Sequence, residues 1–324
     1  MSKLEDVCAL IVTYNRKNYL IKLISAMMNG DVVPKKILIF DNNSTDGTTD
    51  LLLDKGYITD GKVDELIRKT INGVELLYFK NDNNTGGSGG FHRGIQLASK
   101  TGCKYIWAMD DDVLPDKECL MTLLKYLKSG YKVCIPNRTD ENFTDKAVID
   151  INMSNPFLYN IKMRKKMINS NQLKDVTNVV DMPFEGPIFE TELLDYIGLP
   201  KEDFFIIFDD TEFAQRIIKI TSIGFVKDAI LHKQIINKSK KTRLMNWKDY
   251  YGYRNQYWFD INYGKNIFVK KMRPFINTIV LILKAILKKK WSNIKILKAA
   301  YYDGTHNRLG KIVEPSEKFE WKRN

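Results

Sequence analysis

Three consecutive carboxylates, Asp110, Asp111 and Asp112, close the apolar stretch in "YIWAMDDDVLPD". Like charges at this spacing repel by roughly 1 kcal/mol in water and about 4 kcal/mol near a protein surface. In an extended chain Asp110 and Asp112 fall on one side while Asp111 points elsewhere, so the outer pair can share a cation. Carboxylate oxygens are hard donors that suit Mg²⁺ or Mn²⁺ bridging a diphosphate. A helix N-terminus rich in acids is the plainer reading, and it accommodates one or two of the three more easily than all of them.

Two further stretches carry comparable chemistry. In "NNTGGSGGFHRG" (83–94), Gly86, Gly87, Gly89 and Gly90 let backbone N–H groups approach a ligand at the entry to a helix, whose positive end favours phosphate. The spacing matches neither a dinucleotide fingerprint nor a P-loop, and a plain glycine turn is the alternative. "FFIIFDDTEFAQR" (204–216) ends an apolar run in Asp209 and Asp210, with Glu212 following at the start of a helix. Acids in a first helical turn are stabilised there in any case, so this motif alone reads equally as a capped helix. His232 lies at the end of the strand-like run "GFVKDAILHK" (224–233), where a packed histidine is the commoner outcome.

The elements that must position these residues are legible as alternating patterns. Apolar strands are expected at 7–13, 36–41, 74–80, 103–110 and 131–136, with helices at 19–28, near 47–54, 91–100 and 116–128. Continuous apolar strands separated by helices imply an α/β fold, a mostly parallel sheet covered on both faces. Ligands of such sheets bind beyond the carboxyl ends of the strands. Here those ends read "TYNR", "DNNSTDG", "NDNNTGGSGG" and "DDD", all polar and on one edge. Residues 139–177 are polar and irregular, a long excursion over the surface. Regular patterning returns at 179–189, 190–197, 199–210, in a helix from Thr211 and in a strand at 223–231. Composition turns aromatic and basic after Lys240, which suggests a catalytic domain over 1–240 and a basic, mainly helical region over 241–324.

The net charge is +12, but most of the excess is local. Between Asp260 and Asp303 there are ten basic residues and no acidic one, whereas the rest of the chain is close to balanced. This distribution argues against a general nucleic-acid-binding role, and a non-catalytic membrane- or nucleic-acid-binding module rests on charge alone. The segment 270–302 has an apolar core of about a dozen residues flanked by lysines, shorter than the roughly 20 needed to span a bilayer. It suits helices lying on an anionic membrane face, with ordinary packed helices as the alternative. No signal peptide is visible at the N-terminus, and Cys8, Cys103, Cys119 and Cys134 show no paired spacing. Reduced thiols in a cytoplasmic protein are therefore expected, peripheral to the inner membrane face if the tail binds lipid.

Taken in order, T-Y-N-R, D-N-x-S-x-D-G-T, N-x-G-G-x-G-G-F-x-R-G, W-x-M-D-D-D and D-D-x-E with a later His resemble an inverting family 2 glycosyltransferase of the GT-A fold. "GGSGGFHRG" and "FDDTEFAQR" most resemble its galactofuranosyltransferase branch, and the likeness covers roughly residues 7–260. The resemblance implies a UDP-sugar donor, with UDP-galactofuranose the first expectation and dTDP-rhamnose the alternative. Thr13, Asn15, Arg16 and Asp41 would hold the nucleoside. Asn84, Gly86 and Arg93 would lie near the diphosphate or sugar, with Gly89 and Gly90 in the same loop, and Asp111 would touch the donor. Asp110, Asp112 and His232 would bind Mn²⁺ or Mg²⁺. Asp210 would be the general base, with Asp209 and Glu212 beside it, and the acceptor would be a lipid-linked glycan or cell-surface polysaccharide. Phe184 and Glu185 stand where that branch has an aromatic pair, which bears on which sugars are recognised. A sugar-1-phosphate nucleotidyltransferase, the other metal-dependent reading, would carry its glycines beside the first strand, and here they follow the third.

Overall fold

The computed structural model describes residues 3–140, 143–235, 244–316 and 318–322. The expected domain boundary at 240/241 lies outside the described residues. The first part of the chain alternates as its pattern demands: β1 (Lys3–Thr13), α1 (Lys17–Met28), β2 (Val32–Asp41), α2 (Thr48–Asp54), β3 (Leu66–Ile71), β4 (Val74–Lys80), α3 (Gly86–Ser99), β5 (Tyr105–Asp110), β6 (Val113–Pro115) and α4 (Cys119–Lys128). Strands β4, β2, β1 and β5 lie side by side and parallel, so their carboxyl ends share one edge. Beyond β5 the sheet continues with β7 (Val133–Asp140), β11 (Val176–Val179), β12 (Glu185–Glu190) and β13 (Ile223–Lys233), in the order β11-β13-β7-β12-β5. β12 runs antiparallel to both β5 and β7.

Both faces of the sheet are covered, and β1 shows why its sequence is apolar without alternation. Val7, Ala9 and Ile11 enter one core with Leu20, Leu23 and Ile24 of α1 and Leu120, Leu123 and Leu127 of α4. Cys8, Leu10 and Val12 enter a second core with Phe91, Ile95 and Ala98 of α3. A strand buried on both sides has no position left for a polar residue. The four cysteines are all buried and unpaired with one another.

One expectation needs correction, and two further segments escape the pattern. The excursion 139–177 is not structureless: it holds β8 (Phe143–Thr144), β9 (Lys146–Ile151), the single turn α5 (Ile161–Arg164) and β10 (Lys165–Asn169), with β9 and β10 forming a hairpin-like pair. An edge strand, β3, escapes the apolar pattern because only Ile67 of its residues is buried; it is joined to β4 by Asn72 and Gly73, both at positive φ, as a tight hairpin requires. The apolar run before Asp209 is no strand. After the short helix α6 (Leu194–Ile197) it forms a turn in which Phe205, Ile207 and Phe208 take positive φ, and α7 (Asp209–Ile217) starts at Asp209 itself.

The C-terminal region forms α8 (Trp247–Tyr263), α9 (Ile267–Leu287) and α10 (Trp291–Thr305). Asn246 and Asp249 close a reciprocal capping box at the start of α8. These helices are fixed to the excursion by ion pairs buried from water: Asp260 of α8 bonds Arg164 of α5 and, at 3.2 Å, Arg273 of α9, all three fully buried. Removing one partner of such a cluster leaves an uncompensated buried charge.

Candidate active site

The polar strand ends converge on a cleft of about 670 Å³. Its floor is the parallel edge: Thr13, Tyr14 and Arg16 at the end of β1, Asn42 after β2, Asn84, Gly86 and Gly87 after β4, Asp110 and Asp111 at the end of β5. Asp209 and Asp210 face them from the first turn of α7. Trp247 and Lys248 at the start of α8, with Lys311 and Glu314 from the chain's last segment, complete the wall.

The three aspartates have distinct surroundings. Asp111 is buried, accepts a hydrogen bond from Thr13 Oγ1 at 2.6 Å and receives Arg16 Nη1 at 3.1 Å. The same guanidinium nitrogen bonds Asp112 at 2.9 Å. Burial drives the Asp111 carboxyl up to about 6 against the opposing pull of Thr13 and Arg16. Burial, followed by the charges of Asp112 and Asp111, holds Asp110 well above the ordinary carboxylate range. Such a crowd of acids, Asp111 buried and its two neighbours half-buried, is relieved by positive charge, and Arg16 supplies part of it.

Oxygen donors for a cation are therefore present at Asp110 and Asp112, and their chemistry fits Mg²⁺ or Mn²⁺. The expected third ligand is placed otherwise. β13 pairs with β6 so that His232 lies opposite Leu114, and its Nε2 meets Asp116 Oδ1 at 2.8 Å. Among the described residues no trio of His, Cys, Asp or Glu is close enough to hold a metal. The partnership of His232 with Asp110 and Asp112 is thus not formed in this conformation.

Other expected donor contacts also divide. Asp41 is fully buried, its Oδ1 taking Ser44 N–H at 2.7 Å and its Oδ2 the Tyr78 hydroxyl at 2.9 Å, so it shapes the turn after β2 from beneath. Asn15 binds that turn to the β1 loop, with its own N–H on Ser44 Oγ and its Oδ1 accepting from Thr45 N–H. Arg93 points away to Asn81 and Asp64 and stacks over Phe79. The glycines separate by purpose. A Cβ at Gly90 would come within 2.7 Å of Val12 and one at Gly89 within 2.5 Å of Thr85, so these two allow α3 to pack on β1 and on its own first turn. Gly86, at φ +75°, passes so close to the Phe205 carbonyl that a Cβ would sit 2.0 Å from it. Its N–H is taken by Asn84 Oδ1 and that of Ser88 by the Phe205 carbonyl, which leaves Gly87 opening on the cleft.

Asp209 and Asp210 titrate as a pair whose protons are held up by burial. The Asp209 carboxyl rises to about 6 and the Asp210 carboxyl to about 7, the latter also through the charges of Asp209 and Asp181, with Lys165 opposing. A carboxylate near neutrality is suited to accept a proton at physiological pH. Glu212 is turned into α7, where Arg216 pairs with it at 2.9 Å and the Tyr263 hydroxyl donates to it at 2.6 Å. It anchors the helix to α8 and lies off the cleft wall.

The residues that hold the pair in place carry no motif. Arg254 of α8, fully buried, donates to the carbonyls of Asp203, Phe204 and Gly310. Asn255 Nδ2 reaches the carbonyls of Phe204, Ile206 and Ile207 at 2.8–3.0 Å. Positive φ costs a bulky residue of order 1–3 kcal/mol, and these bonds offset that strain in the turn that delivers Asp209. Tyr14 could have been found, since it stands inside "TYNR" and presents an exposed ring to the cleft. The pair Phe184 and Glu185 is also explained: Phe184 stacks on Phe91 at 4.4 Å, and Glu185 joins Arg138 and Lys233 in an ion cluster beside Asp112.

The comparisons with known proteins agree with this geometry. Residues 8–180 match the family described as glycosyl transferase family 2. The chain is 24% identical over 231 residues to the galactofuranosyltransferase GlfT1 of Mycolicibacterium smegmatis, covering 68% of this chain and 67% of that protein. With GlfT1 of Mycobacterium tuberculosis it shares 24% over 66% of its own length and 65% of the relative's, so it spans about two thirds of these curated relatives. In fold it is similar to TarS 1-349 of S. aureus in complex with UDP-GlcNAc, with a TM-score of 0.56, 15% identity, and coverage of 94% of this chain and 82% of that one. The mannosyltransferase PcManGT of Pyrobaculum calidifontis, in complex with GDP-Man and Mn²⁺, gives 0.55 at 12% identity over 94% and 88%. A family pattern over more than half the sequence thus coincides with the elements that build the carboxylate-lined edge, and the chain belongs to glycosyl transferase family 2.

Proposed function

We propose that this enzyme transfers a sugar from a nucleoside-diphosphate donor to an acceptor hydroxyl with inversion, and that the sugar is galactofuranose from UDP-galactofuranose. The observation that carries the reading is the single cleft holding Asp110 and Asp111 on the sheet edge and Asp209 and Asp210 opposite. The donor sugar rests on the galactofuranosyltransferase similarity together with the "GGSGGFHRG" and "FDDTEFAQR" motifs. The acceptor we assign is a hydroxyl of a lipid-linked glycan or cell-surface polysaccharide.

In this mechanism Tyr14 and Arg16 receive the nucleotide at the end of β1, and the Gly87 backbone gives close approach beside it. Asp110 and Asp112 would hold Mn²⁺ or Mg²⁺, which when bound offsets the negative charge of a departing diphosphate. Asp210 takes the proton of the acceptor hydroxyl as that oxygen bonds to the anomeric carbon. The bond from the same carbon to the diphosphate oxygen breaks on the opposite face, and the nucleoside diphosphate leaves with the electron pair. Burial, followed by the charge of Asp209, raises the proton affinity of Asp210 toward neutrality.

The deciding experiment offers UDP-galactofuranose, UDP-galactopyranose and dTDP-rhamnose with and without Mn²⁺, and measures nucleoside diphosphate release and the anomeric configuration of the product. Release from UDP-galactofuranose with an inverted product is expected. A retained configuration overturns the mechanism, and preference for dTDP-rhamnose overturns the donor assignment.

A further inference from the structure

The face of α9 turned away from the protein is apolar over about five turns. Phe268, Met272, Phe275, Ile279, Leu283 and Ile286 recur at intervals of three and four, and each is at least 39% exposed. The opposite face carries the buried Val269, Arg273, Pro274, Asn277, Thr278 and Ala285, so the exposed row is one continuous stripe and not scattered surface residues. At its C-terminal end stand Leu287, 83% exposed, then Lys288, Lys289 and Lys290, then Trp291, 62% exposed. Unpartnered apolar rows of this length on a soluble face mark an interaction surface.

We propose that this stripe docks α9 in the interface of an anionic membrane, lying parallel to the surface. The helix does not cross the bilayer: none among the described residues is long and apolar enough, and α9 carries Lys270, Lys271 and Lys284 within its length. Charge selects the occupant. The ten basic residues between Asp260 and Asp303 have no acid within that span, and Arg273 is neutralised by the buried Asp260. A second copy packing on the same stripe would bring two such cationic regions together, whereas anionic headgroups neutralise them. The indole at the end of the stripe is the side chain that favours the headgroup level. α8, whose first turn contributes Trp247 and Lys248 to the cleft, carries α9 along its length through the Tyr257–Thr278 hydroxyl contact and the Asp260–Arg273 pair, so docking would fix the catalytic cleft relative to the membrane.

The test measures co-sedimentation of the full chain with phosphatidylglycerol and with phosphatidylcholine vesicles, without donor or acceptor, so that its result is independent of the transferase reading. Binding to the anionic vesicles that weakens with salt is expected. Phe275→Gln with Leu283→Gln should weaken it at least about tenfold, since two large apolar side chains no longer leave water. Thermal melts of the variant show that it remains folded. Lys288→Glu with Lys289→Glu should weaken binding with the stripe intact. Binding that ignores the double Gln change, equal binding to both lipids, or a dimer in light scattering that the Gln variant dissolves would each overturn the proposal.

Discussion

Replacing Asp210 with Asn removes the charge and keeps the shape, and the surroundings of Asp210 give the change two opposite signatures. General-base catalysis is worth about 10²–10⁴ in rate, so kcat should fall by that factor, roughly 2.7–5.4 kcal/mol of barrier. Donor binding should persist, because Thr13, Arg16 and the Asp110–Asp112 edge lie on the other wall of the cleft. Stability should move the other way. The folded-state pKa is raised to about 7, so the unfolded chain loses its proton first as pH climbs from about 4, and ionisation then weighs against the folded state. That penalty is complete above the folded value and absent below the unfolded one. Because the shift is shared with Asp209, its size is a few kcal/mol at most. Asp210→Asn should therefore melt at or above the wild-type temperature at pH 8, with the difference shrinking toward pH 4. The assay pairs nucleoside diphosphate release with titration of UDP and with melts at the two pH values. Turnover within tenfold of wild type would remove Asp210 as the base, and a lower melting temperature at pH 8 would show that burial does not oppose its charge.

Three other outcomes follow from the same geometry. kcat/KM should rise with pH and level off above about 7, and Asp209→Asn should move the midpoint down by removing the largest charge acting on Asp210; an unmoved midpoint contradicts the coupling. Asp112→Ala should weaken metal-dependent UDP binding at least about tenfold by calorimetry, since it deletes one of two oxygen donors at the proposed site, and unchanged metal affinity sinks that assignment. Asn255→Ala should cost about 1–3 kcal/mol in urea unfolding and lower kcat more than it alters KM, because the Ile206 and Ile207 carbonyls in the turn before Asp209 lose the Asn255 amide and the Phe204 carbonyl keeps its bond from Arg254. If kcat holds while stability falls, Asn255 has no part in aiming the acids.

The fold was legible because each strand of the parallel core is buried on both faces, which writes its sequence as an unbroken apolar run such as Val7–Val12. The edge β3 and the hairpin-like pair β9–β10 were not, since strands half open to water lack that run. The apolar "FFIIF" is apolar for a different reason: its three phenylalanines are buried against α8, and Arg254 and Asn255 satisfy a backbone that no neighbouring strand pairs.

The sequence by itself determined that polar and acidic residues end consecutive strands, because parallel βα units place every strand's carboxyl end on one edge. Those strand ends contain Thr13, Arg16, Asn84, Gly86, Asp110 and Asp111, while Asp209 and Asp210 stood out as an acidic pair at the start of a helix; all eight line the cleft. Only the tertiary structure decided which neighbouring residues turn elsewhere. Asp41 is sealed by Tyr78, His232 is drawn to Asp116 by the β6–β13 register, Glu212 is held by Arg216, and Gly89 and Gly90 are spent on helix packing. Backbone periodicity is local and survives in a one-dimensional pattern. A side chain's partner is set by strand register and by helices distant in the chain, and α8 meets the turn before Asp209 from 50 residues further along.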